Sequence, residues 1–90
     1  MSRRSSPQTL DEKAIYAHIG KRIREERKAL GFEQKDLAQE VDLARTSIVN
    51  IEAGRQAVSI HVLYKIARAL GVSVMALLPE GAGDGDGIDG

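Results

Sequence analysis

Apolar residues recur every three or four positions through five stretches of the chain, and no stretch alternates apolar and polar residues. A three- or four-residue spacing places side chains on one face of a helix, whereas alternation would indicate a strand. The pattern therefore predicts an all-α domain of five short helices. The apolar residues expected to face a common core are Ile15, Ile19, Ile23, Leu30, Leu37, Ala38, Val41, Leu43, Ile48, Ile51, Ile60, Leu63, Ile66, Ala67, Leu70, Val74, Leu77 and Leu78.

Capping and helix-breaking residues predict the limits of the first helix. Thr9 and Glu12 have the spacing of a capping box, so the helix is predicted to begin at Thr9. Gly31 is predicted to end it, because glycine adopts the left-handed conformation that follows many helices. Residues 1–8, "MSRRSSPQ", are small and polar with one proline, and we expect them to be disordered.

The later helices are predicted to be short and closely spaced. The second should cover residues 34–41, and Asp42 is expected to end it. The third should cover about residues 45–53. The residues expected to begin and end the last two helices are Ser59 and Gly71 for the fourth, and Ser73 and Pro79 for the fifth.

Composition restricts the class of protein. The 90 residues suffice for one small domain, with an aliphatic core because the chain has one Phe, two Tyr and no Trp. The absence of cysteine excludes disulfides and thiolate chemistry. No apolar run approaches the ~20 residues of a membrane span, and the N-terminus lacks the apolar stretch of a secretory signal. We therefore expect a cytoplasmic protein without membrane association.

Charge is unevenly distributed along a chain whose net charge is zero. All thirteen Lys and Arg lie in residues 1–79, together with nine of the thirteen acidic residues. The remaining acids lie in the glycine-rich tail, residues 80–90, which we expect to be disordered. A mildly basic domain with an acidic tail is compatible with nucleic-acid binding but does not establish it.

The sequence contains no pattern typical of catalysis or metal binding. His18 and His61 are far apart and have no neighbouring ligand-type residues. In the tail, "DGDGIDG" places Ile88 where a calcium-binding loop requires an oxygen ligand. We also find no phosphate-binding glycine loop and no nucleophile–base pair, so we expect no cofactor, no metal and no enzymatic activity.

The second and third predicted helices are separated by only three or four residues. Helices joined in this way can cross at a steep angle, which leaves the outer side of the second one free to enter a major groove. Here that side bears the guanidinium of Arg45, the hydroxyl of Thr46 and the amide of Asn50, and it is nearly free of acid. On geometry alone, a helical hairpin inside a plain bundle remains the alternative.

The segments "QKDLAQEV", "RTSIVNIEAGR" and "LYKIARALGVSVMALL" closely resemble the Cro/cI-type (XRE) helix-turn-helix family over about residues 17–79. The resemblance implies a five-helix, lambda-repressor-like DNA-binding domain over residues 9–79, with helices 2 and 3 as the helix-turn-helix. It also implies a transcriptional regulator that is associated with the nucleoid when bound to DNA. The chain is similar in size to restriction-modification controller proteins.

The resemblance assigns DNA contacts to individual residues. The side chains predicted to contact base edges are those of Arg45, Thr46, Val49 and Asn50. Arg can donate two hydrogen bonds to guanine, and Asn can pair with adenine. For Arg45 a phosphate contact is the alternative, because arginines at helix N-termini often bind phosphate. The residues predicted to contact phosphates are Gln34, Lys35, Ser47, Arg55 and Gln56.

Two further positions match a structural feature of the family. Arg27 and Glu52 occupy the positions of a partly buried ion pair that links the first helix to the end of the third. Three residues depart from the family pattern: Asp42 replaces the usual glycine of the turn, Ala44 replaces the usual cap of the third helix, and Glu33 places an acid beside the expected phosphate path.

The resemblance also implies a homodimer bound to an inverted-repeat operator in double-stranded DNA. The residues predicted to form the dimer interface are Val72, Val74, Met75 and Leu78. Burial in the domain's own core is the alternative for this apolar set, and for Val74 and Leu78 the two are equally favoured. A different class of function stays open, namely an antitoxin-like module whose acidic tail binds a partner protein.

Overall fold

The computed structural model describes residues 11–79, which contain helices and no strand. The all-α fold class is therefore confirmed for this part of the chain. The segments predicted to be disordered, residues 1–8 and 80–90, lie outside the described residues. The helices are α1 (Glu12–Ala29), α2 (Gln34–Val41), α3 (Arg45–Glu52), α4 (Ile60–Leu70) and a terminal 3-10 helix (Val74–Leu77).

The fifth helix predicted between Ser73 and Pro79 is present as a 3-10 helix, so four of the five predicted helices are α-helices. The Ser73 hydroxyl accepts a hydrogen bond from the backbone N–H of Met75 at 3.1 Å, as expected of a cap. Leu78, however, is already extended, with ψ of 154°. A residue that precedes a proline avoids the α conformation, and Pro79 therefore limits this helix to four residues.

The boundaries of α1 and α3 also differ from the prediction. α1 begins at Glu12, because the Asp11 carboxylate caps it by accepting from the Lys13 backbone N–H at 3.0 Å. The predicted start at Thr9 is wrong, since Asp11 is the N-cap and aspartate is a stronger cap than threonine. α3 ends at Glu52, one residue earlier than predicted, with Ala53 as its C-cap.

The four α-helices all end in the same hydrogen-bond pattern. In each, a residue with positive φ follows the helix, and the next backbone N–H returns to a carbonyl five residues earlier, which defines a Schellman motif. Three of these residues are glycines, and the fourth is Asp42, whose φ of 59° shows the left-handed conformation expected of it. The N–H groups that return are those of Phe32, Leu43, Arg55 and Val72.

A single aliphatic core joins the elements. Val58, in the loop between α3 and α4, contributes to it although it belongs to no periodic stretch. Leu30 and Ile60 were expected to face the core but are 50% and 70% exposed. Both lie at helix ends, where helical spacing no longer determines which way a side chain points. The fully buried side chains are Ile23, Leu37, Val41, Ile48, Ile66 and Leu77.

Gly20 allows the backbones of α1 and α3 to touch. A Cβ at this position would meet the carbonyl oxygens of Ile51 and Glu52, the latter at 2.7 Å. Since these are backbone atoms, a larger residue would require one helix to move. A glycine inside a helix costs about 1 kcal/mol relative to alanine, so its presence is a usable sign of such a contact.

Arg22 connects α1 to the 3-10 helix. Its Nε donates to the Ala76 carbonyl at 3.0 Å, and its remaining nitrogens donate to Glu25 at 2.6 Å and Glu26 at 3.0 Å. The hydrogen bond to Glu25 is the main cause that raises the pKa of Arg22. Arg22 therefore bridges two elements of the fold. No helix within residues 11–79 is long and apolar enough to cross a membrane.

Candidate nucleic-acid interface

The two sides of α3 have different environments. Ile48, Ile51 and Glu52 are buried against the rest of the domain. On the opposite side, all four predicted base-contacting residues remain accessible: Arg45 and Thr46 are exposed, while Val49 and Asn50 are half-buried. Helix α2 packs across the inner side through Leu37 and Ala38, so the outer side of α3 faces away from the domain. The geometry expected of a helix-turn-helix is therefore present.

The N-terminus of α3 has no side-chain cap. Ala44 has the extended backbone of an N-cap residue, with φ −70° and ψ 148°, but its methyl group cannot accept a hydrogen bond. N-cap positions normally carry a hydroxyl, carboxylate or amide oxygen that accepts from the first turn. The N-terminal N–H groups of α3 consequently lack a side-chain acceptor at the cap position, beside the exposed guanidinium of Arg45.

The N-termini of α2 and α3 lie side by side. Gln34, Lys35 and Arg45 line one open cleft of about 310 Å³, together with Arg27 and Glu33. The structure thus brings two predicted phosphate-contacting residues next to a predicted base-contacting one. The Glu33 carboxylate lies on the same edge, 3.9 Å from the Lys35 ammonium, and both groups are exposed. An exposed pair at this distance is weak, so Lys35 remains available to an anion.

Arg27 and Glu52 form a buried, bidentate ion pair between α1 and the end of α3. Arg27 Nε donates to Glu52 Oε2 at 2.7 Å, and Arg27 Nη2 donates to Oε1 at 3.0 Å. Only 8% and 3% of the two side chains are exposed. The third nitrogen, Nη1, donates to the Phe32 carbonyl at 2.7 Å. All three guanidinium nitrogens of Arg27 therefore donate to groups inside the domain.

Gln34 joins this pair, which the sequence did not predict. Its Nε2 donates to Glu52 Oε1 at 3.1 Å, so the Glu52 carboxylate accepts three hydrogen bonds in all. One N–H of the Gln34 amide remains available for the predicted phosphate contact. Gln34 therefore connects the start of α2 to the end of α3 from inside the proposed interface.

A second unpredicted contact links two residues of the predicted DNA surface. Arg55, immediately after α3, donates from Nε and Nη2 to the Asn50 side-chain oxygen, at 3.3 and 3.2 Å. In the sequence, Gly54 was the one feature that could have indicated this contact, since a glycine after a helix often turns the chain back toward the last helical turn. Of the other predicted phosphate-contacting residues, Ser47 is half-buried in the first turn of α3 and Gln56 is exposed in the following loop.

The predicted dimer residues are only partly exposed. Met75 is 60% exposed, whereas Val72, Val74 and Leu78 are half-buried and pack against the core. Val72 and Val74 also line a cleft of about 630 Å³ between α4 and the 3-10 helix, beside the exposed ring of Tyr64.

Within residues 11–79, no three His, Asp or Glu side chains are grouped as a metal site would require.

A helix whose accessible side carries no acid, packed across a preceding short helix, is typical of helix-turn-helix DNA-binding domains. The HTH_3 helix-turn-helix family model matches residues 23–77, and the chain belongs to this family. The resemblance stated from the sequence is thereby confirmed.

Relatives and solved structures agree with this assignment. An uncharacterized HTH-type transcriptional regulator of Methanothermobacter thermautotrophicus is 47% identical over 49 residues, which cover 54% of this chain and 71% of the relative. The restriction-modification controller protein C.AhdI from Aeromonas hydrophila is 33% identical, with a TM-score of 0.68 over 70% of this chain and 96% of the controller.

A third similar protein was solved with DNA. SinR, the master regulator for biofilm formation, is 37% identical, with a TM-score of 0.63 over 66% of this chain and 95% of SinR. The chain is accordingly a DNA-binding transcriptional regulator of the helix-turn-helix type and not an enzyme.

Proposed function

We propose that the protein binds an inverted-repeat operator as a homodimer, with α3 of each protomer in one of two successive major grooves. The accessible side of α3 is the observation that supports this proposal, because it offers donors, an acceptor and a methyl group but no acid. Two-fold related recognition helices would contact half-sites about 34 Å apart, one helical turn of DNA. The similarity to SinR, which was solved in complex with DNA, favours the same use of this surface.

Each accessible side chain of α3 has a base edge that it could recognise. The Arg45 guanidinium can donate twice to guanine O6 and N7. The methyl groups of Thr46 and Val49 can contact the methyl group of thymine, and the Asn50 amide can hydrogen-bond a purine. These four residues would supply the sequence preference of each half-site.

The phosphate contacts would come from both ends of the helix-turn-helix. Gln34 and Lys35 lie at the start of α2, where free backbone N–H groups and the helix dipole favour an anion. Arg55 and Gln56 follow α3, and Ser47 lies in its first turn. These contacts position the domain on the duplex and carry little sequence information.

Dimerisation would involve Val72, Val74, Met75 and Leu78. The three or four base-contacting side chains of one domain specify too few base pairs to distinguish an operator from other DNA. Two identical domains extend the recognised site across both half-sites. Met75 is the strongest candidate in the set, since it is 60% exposed whereas the other three residues are half-buried.

The experiment that tests this proposal is selection from random double-stranded DNA with the purified protein at a stated salt concentration. We expect an enriched inverted repeat. Arg45→Ala should remove the preference at one base pair in each half-site, with a loss of roughly 5- to 100-fold in discrimination there. Arg24→Ala, which removes the same charge from the exposed surface of α1, should leave the selected motif unchanged.

Weak binding without any enriched motif would contradict the proposal. In that case α3 would hold DNA without discriminating between bases, and the antitoxin-like function would become the better explanation. Its test is the deletion of residues 80–90, which should abolish capture of a protein partner while DNA binding is unchanged.

A further inference from the structure

The Asn50 amide, at the centre of the proposed DNA surface, has a defined orientation in the free protein. Its side-chain oxygen accepts from Arg55 Nε at 3.3 Å and from Arg55 Nη2 at 3.2 Å. A guanidinium has only donors, so the Asn50 atom that faces it must be Oδ1 rather than Nδ2. The amide nitrogen therefore points away from Arg55, and both of its N–H groups remain to be satisfied.

The backbone after α3 makes this contact possible. Gly54 has a φ of 76°, and its N–H donates to the Ile51 carbonyl at 3.0 Å. The Arg55 N–H then donates to the Asn50 carbonyl at 2.9 Å, which completes a Schellman motif. Because the two residues share this backbone hydrogen bond, their side chains leave the chain next to each other.

The turn itself has little freedom to move. A Cβ at Gly54 would lie 2.9 Å from the Cα of Ala17 in α1, so the backbone of the turn packs closely against that helix. Arg55 is thus attached to a supported segment, although its own side chain is exposed. Its position over the last turn of α3 follows from the fold and does not require DNA.

This arrangement changes the hydrogen-bonding character of Asn50. A free asparagine presents a donor and an acceptor together, the combination that matches adenine N7 and N6. When two N–H groups of Arg55 occupy Oδ1, the side chain presents mainly its two donors. Guanine offers two acceptors, N7 and O6, in the major groove, whereas adenine offers one acceptor beside a donor.

We propose that Arg55 is a positioning residue that holds Asn50 as a hydrogen-bond donor and thereby shifts its preference from adenine to guanine. This inference rests on the proposed sequence-specific binding. It also gives Arg55 a second role beside its predicted phosphate contact. One edge of the guanidinium holds Asn50, and the Nη1 group, which has no partner within residues 11–79, remains available to a phosphate.

The test measures relative affinities for operators that carry each of the four base pairs at every position of the half-site. The proteins are the wild type, Arg55→Met, Arg55→Lys, Asn50→Ala and the double variant Arg55→Met with Asn50→Ala. Arg55→Lys retains the positive charge but cannot form the two-nitrogen contact. Thermal melts check that each variant is folded, and little change is expected because Arg55 is exposed.

We expect both Arg55 variants to change the preference at the one base pair per half-site that Asn50→Ala also changes. The ratio of affinities for G·C over A·T should fall there by about fivefold or more, the lower limit for one good contact. In the Asn50→Ala background, Arg55→Met should leave all ratios unchanged. In the free protein, the NMR signals of the Asn50 side-chain amide should shift on Arg55→Lys.

Two results would overturn the inference, and they differ from each other. If the Arg55 variants weaken binding to every sequence by the same factor, Arg55 contacts only phosphate, and the proposed function still stands on the wild-type motif. If the wild type shows no base preference at any position, both the inference and the proposed function are wrong.

Discussion

Glu52 is the one acid in α3, the helix proposed to enter the major groove, and its surroundings explain why it can be there. Its carboxylate is almost fully buried and accepts two hydrogen bonds from Arg27 and one from Gln34. A buried charge is tolerated only when it is paired and hydrogen-bonded. The negative charge is therefore compensated inside the domain before a phosphate approaches.

Arg27→Met should destabilise the domain by about 3–5 kcal/mol, because it leaves the Glu52 carboxylate buried with only Gln34 as a donor. The measurement is the free energy of unfolding from urea denaturation. The double variant Arg27→Met with Glu52→Met should recover most of this loss, since two apolar side chains can replace a buried pair at little cost. Equal stabilities for the single and double variants would contradict the structural role of the pair.

At the scale of the element, the two ends of α3 are supported differently. Its C-terminus is fixed by the Schellman motif, by the ion pair at Glu52 and by the close approach of Gly20. Its N-terminus has only Ala44 at the cap position, without a side-chain acceptor. Adding a side-chain cap at the N-terminus of α3 should therefore raise the free energy of unfolding without changing the core.

Ala44→Ser and Ala44→Asp should each raise the free energy of unfolding by roughly 0.5–2 kcal/mol, since either side chain can accept from the first turn of α3. Their effects on DNA binding should differ. The aspartate places a negative charge beside Arg45 and the predicted phosphate path, so Ala44→Asp should weaken binding more than Ala44→Ser, most strongly at low salt. Urea denaturation and affinity measurements at two salt concentrations check both effects. Equal affinities for the two variants would show that position 44 is remote from the DNA.

Most helix limits could be predicted because their signals are local. Ser59 caps α4, and the left-handed residues Asp42 and Gly71 end their helices where the sequence placed the breaks. The differences from the prediction occurred where two local signals competed. At the start of α1, Asp11 is the cap rather than the Thr9–Glu12 box, and before Pro79 the chain forms a 3-10 helix in place of an α-helix.

At the scale of the whole molecule, helical spacing in the sequence predicted which residues of α3 are accessible, but it did not predict their partners. The bridge from Arg22 to the Ala76 carbonyl joins residues 54 positions apart, and the Gln34–Glu52 contact joins residues 18 apart. Such contacts depend on how the helices pack and leave no periodic signal. The Arg27–Glu52 pair was anticipated only through the family resemblance.

Met75→Asp should convert the proposed dimer to a monomer, because it places a charge in the most exposed part of the predicted apolar interface. Sedimentation equilibrium should show the change in mass, with little change in the melting temperature. Leu30→Asp is a matched control, since Leu30 is similarly exposed at the far end of α1. A wild-type protein that sediments as a monomer at high concentration would contradict the proposed dimer.

Because α3 has one side packed in the domain and one accessible side, substitutions on the accessible side could change the preferred operator sequence without changing the fold. Every contact that fixes this helix in the domain comes from its inner side or from its C-terminal turn. Arg45 and Thr46 are exposed and form no side-chain hydrogen bond within residues 11–79, so they can be exchanged with little loss of stability. Asn50 is tied to Arg55, and new specificity at that position would require both residues to change together.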